Sequence, residues 1–166
     1  AMVDGLHAIG IKVIVSVVPS VDRRSENFQP MMDRGLLIRT ERGADQTYDY
    51  QGDCVEIYVF NPETSKYVWE VCKKNYYDLG IDGFWLDNSE PDFGVYDFEH
   101  YRYCEGPALS ISNLYPQMFS RAFYDEMKDA GRGPVVNLLR CAWAGSQKYG
   151  NVVWSGDVPS TFEAFE

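Results

Sequence analysis

Charged side chains recur in this sequence where apolar runs give out. Asp87 and Glu90 close and follow the run at residues 81–87, Arg140 follows 135–139, and Asp157 follows 152–154 after a Ser155-Gly156 pair. If these runs are strands of one parallel sheet, all of these side chains face a single rim, because functional groups in such sheets collect at the carboxyl ends of strands. Two carboxylates on one rim suit glycoside hydrolysis: one attacks the sugar or activates water, and the other protonates the departing oxygen. An arginine between them can hold hydroxyls or keep a carboxylate ionised. Trp85 and Trp154 add flat apolar faces that match the C–H faces of a sugar ring and exclude water. The same residue types also cap helices and form structural ion pairs, so on spacing alone a purely structural role stays open.

Other chemistries lack their parts. The chain has neither a Gly-x-Ser-x-Gly elbow nor a glycine-rich phosphate loop, and its histidines, His7 and His100, are too few for a triad or zinc site. Both are expected to make surface or loop hydrogen bonds. The acidic run at 87–92 contains Pro91 and departs from the Asp-x-Asp-x-Asp-Gly order of a calcium loop, so no metal is expected. Cys54, Cys72, Cys104 and Cys141 form no Cys-x-x-Cys pair and are expected to be reduced thiols. A formal charge of −10, from 15 basic and 25 acidic residues, repels phosphates and anionic lipid. Neither nucleic acid nor a membrane is an expected partner. The aromatic loop at 96–103 lacks a basic cluster and is expected to pack or line a sugar site. No run approaches ~18 apolar residues, and no charged-then-apolar leader opens the chain.

The elements that must position these groups are legible in the apolar pattern. Residues 1–7 read as the last turns of a helix stopped by Gly10, and 11–18 as a strand covered on both faces and ended by Pro19. From 22 to 58 the chain is polar, with short strand-like pieces at 36–40 and 55–60, and reads as an excursion at one end of the scaffold. Asn61-Pro62-Glu63 starts a helix: asparagine accepts from free amides, proline suits the first turn, and glutamate faces the positive dipole end. Tyr67, Val68, Val71, Cys72, Tyr76 and Leu79 recur at helical spacing, and Gly80 stops the helix. After the strand at 81–87, Tyr115, Met118, Phe119, Ala122, Phe123 and Met127 mark a second amphipathic helix that ends at Gly131. Strands at 135–139 and 152–154 follow, and 161–166 read as the first turns of another helix.

Strand-helix alternation with helix-length connections implies α/β architecture, parallel strands and right-handed crossovers. A closed eight-stranded barrel needs about 250 residues. The 166 present would supply about four parallel strands, either part of a (β/α)8 TIM barrel or a small open sheet.

The run Phe84-Trp85-Leu86-Asp87-Asn88-Ser89-Glu90-Pro91 resembles the nucleophile motif of glycoside hydrolase family 31, commonly Trp-x-Asp-x-x-Glu. Independently, Leu139-Arg140-Cys141-Ala142-Trp143-Ala144-Gly145-Ser146-Gln147-Lys148-Tyr149-Gly150, leading to Trp154-Ser155-Gly156-Asp157, looks like that family's arginine motif and acid/base strand. The resemblance covers nearly the whole chain and implies a single segment, 1–166, from the centre of a TIM-barrel catalytic domain with both ends truncated. It implies Asp87 as nucleophile, Asp157 as general acid/base, and Trp85, Glu90, Arg140, Trp143 and Trp154 as substrate-binding residues, Glu90 in positioning rather than bond cleavage. It further implies an exo-acting, retaining α-glucosidase or α-xylosidase that needs no cofactor and takes an α-linked oligosaccharide or glycoside. Many α-glucosidases of the family have Met-Asn where this chain has Asn88-Ser89, and Glu90-Pro91 looks closer to bacterial α-xylosidases and α-glucosidases. Two alternatives are an α-glucan lyase, sharing the nucleophile, and a barrel fragment or sugar-binding remnant without turnover. The isolated segment is expected to be inactive, since half a barrel leaves strand edges unpaired. A cytoplasmic parent enzyme able to form homo-oligomers completes the expectation.

Overall fold

The alternation Gly83-Phe84-Trp85-Leu86 decides how the central sheet faces. In the computed structural model, which describes residues 2–39, 48–49, 53–90, 102–131 and 133–165, Phe84 and Leu86 are wholly buried on one face of the sheet. Trp85, one residue out of phase, points to the other face. The sheet comprises β1 (Ile14–Val17), β5 (Gly83–Leu86), β8 (Asn137–Leu139) and β9 (Asn151–Val153) in that spatial order. Every pairing is parallel. The expected α/β class and its four parallel strands are therefore present, with shorter strands than the apolar runs suggest. The register places Ser16, Trp85, Leu138 and Val152 in one row on the face opposite Phe84 and Leu86.

Two helices cover the Phe84 side. α3 (Pro62–Asn75) begins as its sequence requires: the Asn61 side chain accepts from the Glu63 amide at 2.9 Å, and Pro62 sits in the first turn. After a 3-10 turn at Tyr77–Leu79, Gly80 adopts a left-handed conformation, φ 99°, that ends the run. The second amphipathic helix, α5 (Tyr115–Asp129), places Tyr115, Phe119, Phe123 and Met127 at four-residue spacing, all buried. Phe84 meets Phe123 with ring centroids 4.9 Å apart and Trp69 of α3 at 6.2 Å. This aromatic cluster fixes β5 beneath both helices.

Between β1 and α3 lies the excursion. β2 (Ser20–Asp22), β3 (Tyr48–Asp49) and β4 (Asp53–Glu56) form an antiparallel sheet in the order β2-β4-β3, beside α2 (Phe28–Asp33). The strand-like pieces expected at 36–40 and 55–60 contract to the end of β4 and one bridge, Leu37 to Ile57. The chain must turn by Asn61 to enter α3, and residue 40 lies outside the described residues. The Tyr115 hydroxyl donates to the Ile57 carbonyl at 2.9 Å and ties the excursion to α5. Further along, β6 (Arg102–Tyr103) and β7 (Gly106–Pro107) pair in antiparallel fashion, and the short helix α4 (Ala108–Ile111) leads toward α5. Tyr103 packs on Tyr58 and Phe60, centroids 6.1 and 4.9 Å away. The rest of the aromatic loop, 96–101 with His100, and Pro91 lie outside the described residues.

The opening helix is present as α1 (Met2–Ala8), with Gly10 left-handed beyond it. His7 makes the hydrogen bond expected of it, 2.7 Å from its Nε2 to Asp82 Oδ2. The chain's tail differs from expectation: described residues 160–165 form bends and a turn, not a helix. Thr161 Oγ1 accepts from the Ala164 amide as a cap would, and the Phe165 amide donates to the Phe162 carbonyl at 3.0 Å. Phe162 and Phe165 are both exposed, so the turn has no apolar surface against which to propagate. All four cysteines are free thiols.

Candidate active site

Three main-chain bonds carry the sheet one step past its strands. The Asp87 amide donates to the Val17 carbonyl at 3.0 Å, Arg140 to Leu86 at 3.3 Å, and Trp154 to Leu139 at 2.9 Å. Each of these residues is the first beyond its own strand, and each is held by the last residue of the preceding one. Asp87, Arg140 and Trp154 therefore share one rim, at the carboxyl ends of β5, β8 and β9.

On that rim Arg140 joins the acids. Its Nε lies 2.8 Å from Glu90 Oε1, and its Nη1 donates to Asn88 Oδ1 at 2.8 Å while standing 3.5 Å from Asp87 Oδ1. Burial pulls the Arg140 pKa down, but Glu90, then Asp87, and more weakly Asp157 oppose it and leave it raised, so the guanidinium is a permanent cation. The Asp87 side chain is only 14% exposed, and both of its hydrogen bonds, from the Asn88 amide at 2.9 Å and from Arg140, fall on Oδ1. Its Oδ2 has no protein partner among the described residues. One oxygen of Asp87 is thus anchored, and the other is left unengaged by the described residues.

Trp85 and Trp154 meet edge to face, centroids 5.4 Å apart and planes at 86°, and the Arg140 guanidinium lies 5.7 Å above the Trp154 ring. The buried Trp85 Nε1, Ser89 Oγ and Glu90 Oε2 make no hydrogen bond among the described residues. Burial pushes the neighbouring Cys141 thiol up, with Glu90 adding to the effect, and keeps it neutral.

The two remaining sequence candidates stand farther out. Trp143 is 59% exposed and is tied into its loop through its amide, which donates to Ser146 Oγ at 3.1 Å. Asp157 is exposed on the segment after β9, with no hydrogen bond or ion pair among the described residues, and reaches the cluster only through its charge on Arg140. Asn88 was not singled out as a site residue in the sequence, although it is the acceptor that brackets Arg140. The signal was there: an asparagine directly after a strand-end aspartate, of the residue type that tolerates the left-handed backbone found here, φ 48°. Among the described residues, no three histidine, cysteine or acidic side chains gather as a metal site requires.

The family model described as the glycosyl hydrolases family 31 TIM-barrel domain matches residues 1–166. A protein named uncharacterized family 31 glucosidase ORF2, from Pseudescherichia vulneris, is 45% identical over 165 residues, covering 99% of this chain and 31% of its own. An alpha-xylosidase of Saccharolobus solfataricus is 32% identical over 167 residues, 95% of this chain and 20% of its own. Among solved structures, a GH31 alpha-xylosidase from a soil metagenome, crystallised with xylose, superposes with a TM-score of 0.91 at 51% identity. That match covers 99% of this chain and 24% of the xylosidase. The chain thus spans less than a third of the length of these relatives.

Proposed function

This chain belongs to glycoside hydrolase family 31, and from that premise we propose that it is the central part of the catalytic barrel of a retaining, exo-acting α-glycosidase for α-xylosides or α-glucosides. The observation that carries the reading is the state of Asp87: one oxygen bound by Arg140 and the Asn88 amide, the other unengaged, at a strand end beside two tryptophans.

In the first half-reaction Asp87 Oδ2 attacks the anomeric carbon, the bond from that carbon to the leaving oxygen breaks, and protonated Asp157 supplies the leaving group's proton. A covalent β-glycosyl ester on Asp87 results. In the second half, Asp157 takes a proton from water as the water displaces Asp87, and the sugar leaves with its α configuration retained. Retention requires the two carboxyl groups to come within roughly 5 to 5.5 Å of each other across the sugar. Arg140 holds sugar hydroxyls, Glu90 orients Arg140, and Trp85 with Trp154 wall the terminal sugar. Trp143, exposed on the loop after β8, suits contact with the part of the substrate that departs. The name of the 51% identical xylosidase, and its complex with xylose, favour a xyloside.

Mass spectrometry of the full-length enzyme carrying this domain, after reaction with a 5-fluoro-α-xylosyl fluoride, tests the assignment. A label on the peptide containing Asp87 is expected; a label on another carboxylate overturns it. Product analysis adds the reaction type, since a hydrolase releases free sugar and an α-glucan lyase releases an anhydro sugar.

A further inference from the structure

We propose that Asn88 is a positioning residue that holds the Arg140 guanidinium away from the nucleophile; this rests on the assignment of Asp87 above. Asn88 is 5% exposed and, among the described residues, the non-glycine residue with positive φ, 48°. An asparagine in that conformation is held there by its surroundings. Its amide donates to Asp87 Oδ1 at 2.9 Å, and its side-chain oxygen accepts from Arg140 Nη1 at 2.8 Å. A guanidinium only donates, so the side-chain atom facing it is the oxygen. Glu90 fixes the other end of the fork at 2.8 Å. Held at both ends, Arg140 stops 3.5 Å from Asp87 Oδ1, at the outer limit of a hydrogen bond.

That distance affects reactivity. A charge-assisted contact closes to about 2.7 to 2.9 Å when nothing prevents it. At that range the guanidinium would stabilise the carboxylate before reaction and lower its basicity, and with it its power to attack. Asn88 gives Nη1 a neutral acceptor instead. Among the described residues, the charged and titratable groups around Arg140, the cation beside Asp87, are Glu90 on the loop after β5, Asp157 beyond β9, whose charge acts on Arg140, and the Cys141 thiol next to it in the chain. β1 contributes the Val17 carbonyl and no titratable side chain.

Two variants of the full-length enzyme separate the side chain from the backbone. Asn88→Gly keeps the left-handed conformation without steric cost and removes the acceptor. Asn88→Asp keeps the acceptor and adds a negative charge near Asp87. The acidic limb of the kcat/KM profile is expected to move to lower pH in Asn88→Gly, as Arg140 closes on Asp87, and to higher pH in Asn88→Asp. Trapping by the 5-fluoro reagent is expected to slow on the order of ten-fold in Asn88→Gly. Loss of a merely structural residue would not shift the limb in opposite directions. An acidic limb and trapping rate in folded Asn88→Gly equal to those of the unmodified enzyme overturn the proposal. Where Asn88→Gly does not fold, Asn88→Ala decides, since it removes the acceptor without adding charge: a downward limb supports the proposal and an unmoved limb overturns it. A label on Asp87 with unmoved limbs defeats only the role of Asn88, whereas a label elsewhere defeats the underlying assignment as well.

Discussion

Arg140 serves Glu90, Asn88 and Asp87 at once, and its guanidinium also lies over Trp154. No lysine can reproduce this, because an ammonium is a point charge without a fork. Arg140→Lys in the full-length enzyme is expected to keep a melting temperature close to that of the parent and to lose kcat/KM on an aryl α-xyloside by about 100-fold, the scale of loss that follows from misplacing a reacting group. Steady-state kinetics beside a thermal melt checks both halves. A large fall in melting temperature would instead assign the cluster to stability.

The strands that deliver these side chains are held together partly by a side chain. The Phe84 amide donates to the Asn137 side chain, to Oδ1 at 2.9 Å, with Asn137 itself 1% exposed. Close approach is possible because residue 83 is glycine: a Cβ there would sit 2.7 Å from the Val136 carbonyl oxygen. Gly83→Ala must therefore spread β5 from β8, and a loss of about 1 to 3 kcal/mol is expected in denaturant unfolding, the usual cost of overpacking. The contrast between these features and the helices shows which parts of the fold the sequence could reveal. The caps of α3, the glycine stops at Gly80 and Gly131, and the four-residue spacing along α5 are local signals, readable within a turn or two of chain, and the strand-end positions of Asp87 and Arg140 followed from them. Asn137 accepting from Phe84 and Asn88 bracketing Arg140 join residues 53 and 52 positions apart, so their roles exist only once the register between strands is set. The tail shows the opposite failure. Thr161 carries a true local cap signal, yet no packing surface follows to extend the turn into a helix.

Across the whole molecule the sheet has a charged rim and a floor, and the floor is fastened by Asp82. Its carboxylate accepts from the Val13 amide at 2.9 Å, Lys12 Nζ at 3.1 Å and His7 at 2.7 Å, binding α1 and the start of β1 to β5. Burial works to raise its pKa, but these donors outweigh burial and hold it at about 2, below the ordinary 3.8. A carboxylate depressed in the folded state stabilises fully above its unfolded pKa and loses that contribution as pH falls through the folded value. Stability is therefore expected to decline between about pH 4 and pH 2 through this group. Asp82→Asn should be less stable at neutral pH and show a shallower decline across that window, measured by denaturant titrations at stepped pH. Above the floor, the three main-chain bonds that run from Val17 to Asp87, from Leu86 to Arg140 and from Leu139 to Trp154 belong to no side chain. Any residue other than proline can stand at those positions without moving the next Cα. Mutation at the rim can therefore change what a position does without changing where it is, and a library of loop sequences built on this sheet can vary the surroundings of Asp87, Arg140 and Trp154 while the spacing of those three residues stays constant.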